Sequence, residues 1–216
     1  MAGATVHTNR QPSFNKMFHK VGLDNTGYNI TKYLYAMSDI HLPKWFSRPS
    51  SMDDNTWSRD SNWIGYVAVR TDEKVRCLGR PDIVVVWRGN VTQLEWMEDF
   101  QDILHPLGEV GSLHENSSVK VERGFLSIYT SKDHNTGYNK LNASEQAMKE
   151  LGSLVDVYTQ KGEDVSITMI GHSLGGALTL LSAYMVAAKG LNSLKTDPDR
   201  NVPVTVFSFR APRVGN

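Results

Sequence analysis

Residues Ile167 to Met185 read ITMIGHSLGGALTLLSAYM, and the fold turns on how this stretch is read. Its first part, with Val165 and Ser166 just ahead of it, reads VSITMI up to Ile170, a mostly apolar, β-branched run with the pattern of a buried strand. Its second part, from Leu174 to about Lys189, lacks proline, and past the glycine pair it is rich in Ala, Leu and Met, as a buried helix is. Between them lies Gly171-His172-Ser173-Leu174-Gly175, extended by Gly176. A strand that becomes a helix within one residue needs strained dihedrals at that residue. Glycine at Gly171 and Gly175 avoids collisions with the adjoining strand and helix.

Working outward, Asp82–Gly89 (DIVVVWRG) is a second short β-branched run, and WIGYVAVR from Trp63 is a third strand candidate. VPVTVFSF supplies a strand after the helix, reached through a polar loop, NSLKTDPDRN. NASEQAMKELGSLVDVYTQKG is a helix: Asn142 and Glu145 have capping-box spacing, Ala147, Leu151, Leu154, Val155 and Tyr158 form one apolar face, and Gly162 stops it. GFLSIYTS is either a helix start or a short strand. In NITKYLYAMSDI, Tyr33, Leu34, Met37 and Ile40 fall near a 3.6-residue spacing, which predicts a helix. Strands alternating with helices predict an α/β domain, with a mostly parallel sheet flanked by helices. We divide the single domain into residues 1–80, a helical segment and first strand, and 81–216, the core.

Composition narrows the function. The chain of 216 residues carries 23 Lys plus Arg and 23 Asp plus Glu, scattered along it, so a nucleic-acid partner is not indicated. Cys77 is the only cysteine, which excludes an internal disulfide and favours a reducing compartment. No apolar run approaches the roughly 20 residues of a membrane span, and MAGATVHTNRQPSFNKMFHKVGL contains no apolar signal core. A cytoplasmic location is expected ahead of organelle import. No metal or cofactor motif occurs.

The turn at Ser173 lifts a hydroxyl to the positive end of the following helix, where the Leu174 N–H can meet an oxyanion. This is the arrangement of a nucleophile elbow, made of Gly171, His172, Ser173 and Gly175. A second oxyanion donor has to come from the loop after an earlier strand, and Asn90 in WRGN is the candidate. Leu94, Trp96, Met97 and Phe100 follow as an amphipathic stretch, equally readable as a lid over an acyl pocket or as a packed helix. His172 adjoins Ser173 but points away from it. His7, His19, His41, His105, His114 and His134 read as solvated, and none follows Ser173 in the chain. The only acids beyond Ser173 are Asp197 and Asp199.

The segments RDSNWIGYVAV, DIVVVWRGN, QLEWMEDF, GFLSIYTS, ITMIGHSLGGALTLLSAY and FSFRAPRVGN, in that order and spacing, resemble the plant phospholipase A1-type enzymes of the class 3 (fungal-type) lipases. The resemblance implies an α/β-hydrolase that cleaves the sn-1 acyl ester of phospholipids or other glycerolipids at a membrane or lipid surface. It makes Ser173 the nucleophile, Leu174 and Asn90 the oxyanion hole and Val91–Phe100 the lid region. Asn90 replaces the usual Ser or Thr, and Arg210 replaces a small residue, which predicts crowding at the base of the site. The family's Asp and His lie beyond PRVGN, so the chain reads as truncated at both ends, chiefly the C-terminus. The alternative is a non-catalytic product that binds lipid or a partner.

Overall fold

The computed structural model describes residues 16–20, 22, 25–37, 61–89, 103–107, 118–194 and 197–216. Their elements run α1 (Lys16–Lys20), β1 (Tyr28–Ala36), β2 (Asn62–Arg70), α2 (Asp72–Leu78), β3 (Asp82–Trp87), β4 (Leu104–Pro106), β5 (Lys120–Glu122), α3 (Arg123–Thr130), α4 (Ala143–Gln160), β6 (Ser166–His172), α5 (Leu174–Ala188), β7 (Ser193–Leu194), β8 (Asp197–Asn201) and β9 (Val204–Phe209).

The apolar runs pair into a five-stranded sheet of order β1-β2-β3-β6-β9. Strand β3 lies parallel to β6, and β6 parallel to β9, with Trp87 opposite Gly171 and His172 opposite Phe209. β1 and β2 add to this parallel half in antiparallel fashion, so the sheet is mixed where a mostly parallel one is expected. Helix α4 packs on β1, β2 and β3, while α5 packs on β3, β6 and β9. Ile83, Val85, Trp87, Ile167 and Met169 meet Leu151, Leu178, Leu181 and Met185 in the main core. Each such side chain contributes about 1.5–3 kcal/mol by leaving water. Trp87 stacks edge-on against Tyr129 of α3, with ring centres 5.6 Å apart. Alternation along β2 turns Tyr66 and Ala68 to a smaller second cluster, which Phe18 of α1 meets edge-on at 5.9 Å.

Where a helix is expected over NITKYLYAMSDI, residues 29–36 lie in strand β1 instead, and residues 38–40, with Ile40, lie outside the described residues. A register shift between Ile30 and Lys32 puts Ile30 with Tyr33 and Tyr35 in the second cluster, while Leu34 and Ala36 enter the main core. From Tyr33 to Ala36 the alternation is regular, but both faces are buried, so apolar residues stand at successive positions and spacings of three and four imitate a helix. Tertiary pairing also favours the strand. Gln146 Oε1 accepts from the Tyr35 N–H at 3.1 Å, and Gln146 Nε2 donates to the Tyr35 carbonyl at 3.1 Å, closing the sheet's outer edge. The expected loop at 192–201 holds the β7–β8 hairpin. GFLSIYTS falls in α3, whose N-terminus is capped by the buried Glu122 carboxylate.

The capping box forms as read: the Asn142 side chain accepts from the Glu145 N–H, and Glu145 accepts from the Asn142 N–H. Burial pushes the Glu145 carboxyl upward. The Lys132 ammonium and the Asn142 N–H outweigh that and hold it below its ordinary value. A carboxyl depressed on folding adds stability that is complete at neutral pH and lost as pH falls through the lowered value. Asn142 also donates to the Thr130 carbonyl at 3.1 Å, joining α4 to the end of α3. Asn142→Ala is therefore expected to lower unfolding stability by about 1–2 kcal/mol in urea titration at neutral pH. An unchanged midpoint would refute this account of the cap.

Candidate active site

Ser173 stands between β6 and α5 with φ 57 and ψ −124. This region is sparsely allowed for a residue with a Cβ and costs on the order of 1–3 kcal/mol. The surroundings impose it. The Ser173 N–H donates to the Phe209 carbonyl at 2.8 Å, which ties the turn to the end of β9. The Ser173 carbonyl accepts from the Ala177 N–H at 3.2 Å, which starts the helix. The hydroxyl makes no capping bond to its own helix, and the residue is only 3% exposed.

Three glycines let the chain segments meet here backbone to backbone. A Cβ on Gly171 would lie 2.0 Å from the Gly175 carbonyl oxygen, and one on Gly175 would lie 2.2 Å from the Trp87 oxygen. A Cβ on Gly89 would lie 2.2 Å from the His172 oxygen and 3.5 Å from the Ser173 Cβ. So Gly89 serves close approach, not only the turn read from the sequence. The chain leaving β3 passes directly beside Ser173, as a second oxyanion donor requires.

Leu174 is the first residue of α5, where an α-helix leaves its leading N–H groups without intrahelical acceptors. Together with the helix's partial positive charge, that makes the turn a seat for an oxyanion. His172 is exposed on the strand, whereas Ser173 is buried. Asn90 lies outside the described residues, and so do Leu94, Trp96, Met97 and Phe100 of the expected lid region. Just past that segment, Ile103 and Leu104 are 54% and 41% exposed.

The remaining ionisable candidates are placed elsewhere. His105 lies on β4 opposite Val121, and His134 lies between α3 and α4. His19 is exposed on α1, and His7, His41 and His114 lie outside the described residues. β8, which contains Asp197 and Asp199, precedes the Val204 end of β9, while Ser173 adjoins the Phe209 end. Roughly 17 Å of strand separates those ends. Arg210 is exposed, so it does not crowd the floor beneath Ser173 as its replacement of a small residue suggested. Among the described residues, no cluster of His, Cys, Asp or Glu is placed to hold a metal ion, and no helix is long and apolar enough to cross a membrane.

The sequence reading passed over part of the site's frame. The Ser208 hydroxyl donates to the Gly176 carbonyl at 3.1 Å, and a Cβ on Gly176 would meet that of Ala211 at 2.9 Å. The signal was the small residues flanking Phe209 and Arg210.

The family model described as Lipase (class 3) matches residues 84–216. Phospholipase A1-Igamma1, chloroplastic, of Arabidopsis thaliana is 47% identical over 203 residues, covering 93% of this chain and 39% of that protein. Phospholipase A1-IIgamma of the same plant is 44% identical over 221 residues, covering 100% of this chain and 50% of that protein. The chain thus spans half or less of the length of these curated relatives. A triacylglycerol lipase from Penicillium expansum shares the fold with TM-score 0.53 at 21% identity, over 88% of this chain and 53% of that one.

Gly175→Ala is expected to cost about 3 kcal/mol or more, because the new methyl meets the rigid backbone of β3. Gly152, inside α4, has nothing within 4 Å of its Cβ position. Gly152→Ala is therefore expected to be neutral or stabilising by about 0.5–1 kcal/mol. Thermal melts of the pair check the contrast, and equal effects would remove the close-packing argument.

Proposed function

The chain belongs to the class 3 lipase family, and from that premise we propose that it is a lipid acyl-ester hydrolase of the phospholipase A1 kind, with Ser173 as nucleophile. One observation carries the reading: a buried serine held at φ 57, its hydroxyl not used as a cap, at the head of a helix. The Ser173 Oγ would attack the sn-1 ester carbonyl while the Leu174 N–H, with a donor from the loop at Asn90, takes the developing oxyanion. Collapse expels the lysolipid alcohol, and water then releases the fatty acid from the serine ester. The relatives are named phospholipases A1, which supports a phospholipid over a neutral lipid. The exposed Ile103 and Leu104 support work at a lipid surface.

A base has to take the proton from Ser173. His172, the histidine adjoining Ser173, is exposed while Ser173 is buried, and that favours a second reading: a lipid- or partner-binding protein that does not turn substrate over.

Intact-mass measurement after treatment with a fluorophosphonate separates the two. One adduct, absent from Ser173→Ala, is the expected result. No adduct on protein with a cooperative melt would sink the catalytic reading in favour of the binding one. We also propose a cytoplasmic location, supported by the exposed free thiol of Cys77. The word chloroplastic in the name of phospholipase A1-Igamma1 points the other way, and recovery of the tagged chain with plastids in a cell fractionation would overturn the proposal.

A further inference from the structure

β9 ends at Phe209, and the next residue, Arg210, takes φ +49. A left-handed backbone costs an L-residue with a Cβ about 1–2 kcal/mol, and glycine would adopt it freely. The position is fixed from both sides by the elbow. Phe209 before it accepts the Ser173 N–H at 2.8 Å, and Ala211 after it packs against the first turn of α5 at Gly176. Arg210 cannot shift without moving the residues that frame Ser173.

Its side chain is exposed, and among the described residues it has neither a hydrogen-bond nor an ion-pair partner. Neighbouring guanidiniums are occupied: Arg213 donates to the Gly215 carbonyl at 2.9 Å, and Arg88 lies over the Trp63 ring at 5.5 Å. His172, opposite Phe209 in the β6–β9 register, shares the same rim. Among the described residues a bulky cation is thus kept without a partner, in a backbone conformation it disfavours, one residue past the carbonyl that holds the Ser173 N–H. A strained residue at such a place is a pointer to function.

We infer that Arg210 is the phosphate contact of the acyl-ester site, so that this chain prefers phospholipids to neutral glycerolipids. The inference rests on the reading of Ser173 as the acyl-ester site. In a glycerophospholipid the phosphodiester is joined to the sn-1 ester through the three-carbon glycerol. With the ester carbonyl at Ser173, the phosphate lies at the rim. A guanidinium offers a planar fork of donors, always charged, that matches the two free phosphate oxygens. Free phosphate presents the same chemistry, so the test has to separate it from the lipid headgroup.

Calorimetric titration of the full chain carrying Ser173→Ala does so without requiring turnover. Monomeric dihexanoylphosphatidylcholine, dihexanoylglycerol and inorganic phosphate are each titrated with Arg210 intact, with Arg210→Gly and with Arg210→Lys. Arg210→Gly is expected to weaken phosphatidylcholine binding about tenfold, as loss of a charge-assisted pair does. Binding of dihexanoylglycerol should stay within about twofold on the same grounds. Arg210→Lys should recover part of the loss, because a point charge replaces the fork. A melt no lower than that of the parent shows that Arg210→Gly is folded, since glycine relieves the strain.

Equal weakening of both lipids, or of neither, overturns the inference, and so does failure of the parent chain to bind phosphatidylcholine. Inorganic phosphate that binds as tightly as the phospholipid, and as dependently on Arg210, overturns the headgroup assignment. The fluorophosphonate reaction is read separately. A chain that reacts but fails this titration loses only the role of Arg210. A chain that passes it without reacting loses only catalysis.

Discussion

At Ser173 three backbones occupy space where side chains normally stand, and the rest of the site follows from that. The ends of β3 and β6 and the first turn of α5 approach within contact of one another's carbonyl oxygens, and only Gly89, Gly171 and Gly175 leave room. The approach fixes the angle at which α5 leaves the sheet. It also forces Ser173 into a conformation it would not choose, with its N–H committed to the Phe209 carbonyl. The strain is sustained by the core beneath, where Trp87, Met169, Leu178 and Met185 are all but inaccessible to water. Loss of rigidity in β3 would release the turn, although β3 contributes no reacting group of its own among the described residues.

The site was legible where its signals are local. Gly171 to Gly176 declares a turn by composition, and the runs on either side declare a strand and a helix by length and residue type. Asn142 and Glu145 announced a helix start by their spacing alone, and the hydrogen bonds match it. What stayed hidden depends on partners far away in sequence. β1 is a strand because β2 lies beside it and Gln146 answers Tyr35 on its outer edge; burial of both its faces disguises the alternation. The antiparallel half of the sheet is invisible to a reading that counts strand–helix alternation. The close approach of Gly89 and Gly176 is equally hidden, since a glycine in a sequence does not say which backbone it admits.

The two ends of the parallel strands are used differently. At their starting end Asp82 is a buried structural tie: it accepts from Ser166 Oγ at 2.7 Å, Thr168 Oγ1 at 3.0 Å and the Tyr28 hydroxyl at 2.9 Å, linking β1, β3 and β6. Three hydrogen bonds hold the buried carboxylate in place. At the finishing end the Ser173 hydroxyl does not cap its own helix, and the leading N–H groups of α5 have no acceptor within the helix. Ligands in open α/β sheets gather at the carboxyl ends of strands for this reason. The placement of Asp197 and Asp199 beyond the starting end therefore separates them from the chemistry by the length of β9.

The clasp between Tyr35 and Gln146 also bears on how the chain is made. Both main-chain groups of Tyr35 are satisfied by a side chain 111 positions later. At about 5–20 residues per second, a ribosome delivers that partner roughly 6–22 s after it delivers Tyr35. During that interval the β1–β2 hairpin exists with one edge unanswered, and a second nascent chain or a chaperone can occupy it. The last lock on β1 is thus set by the clock of translation, and synonymous changes that slow decoding between residues 35 and 146 would lengthen the exposure without altering a single side chain.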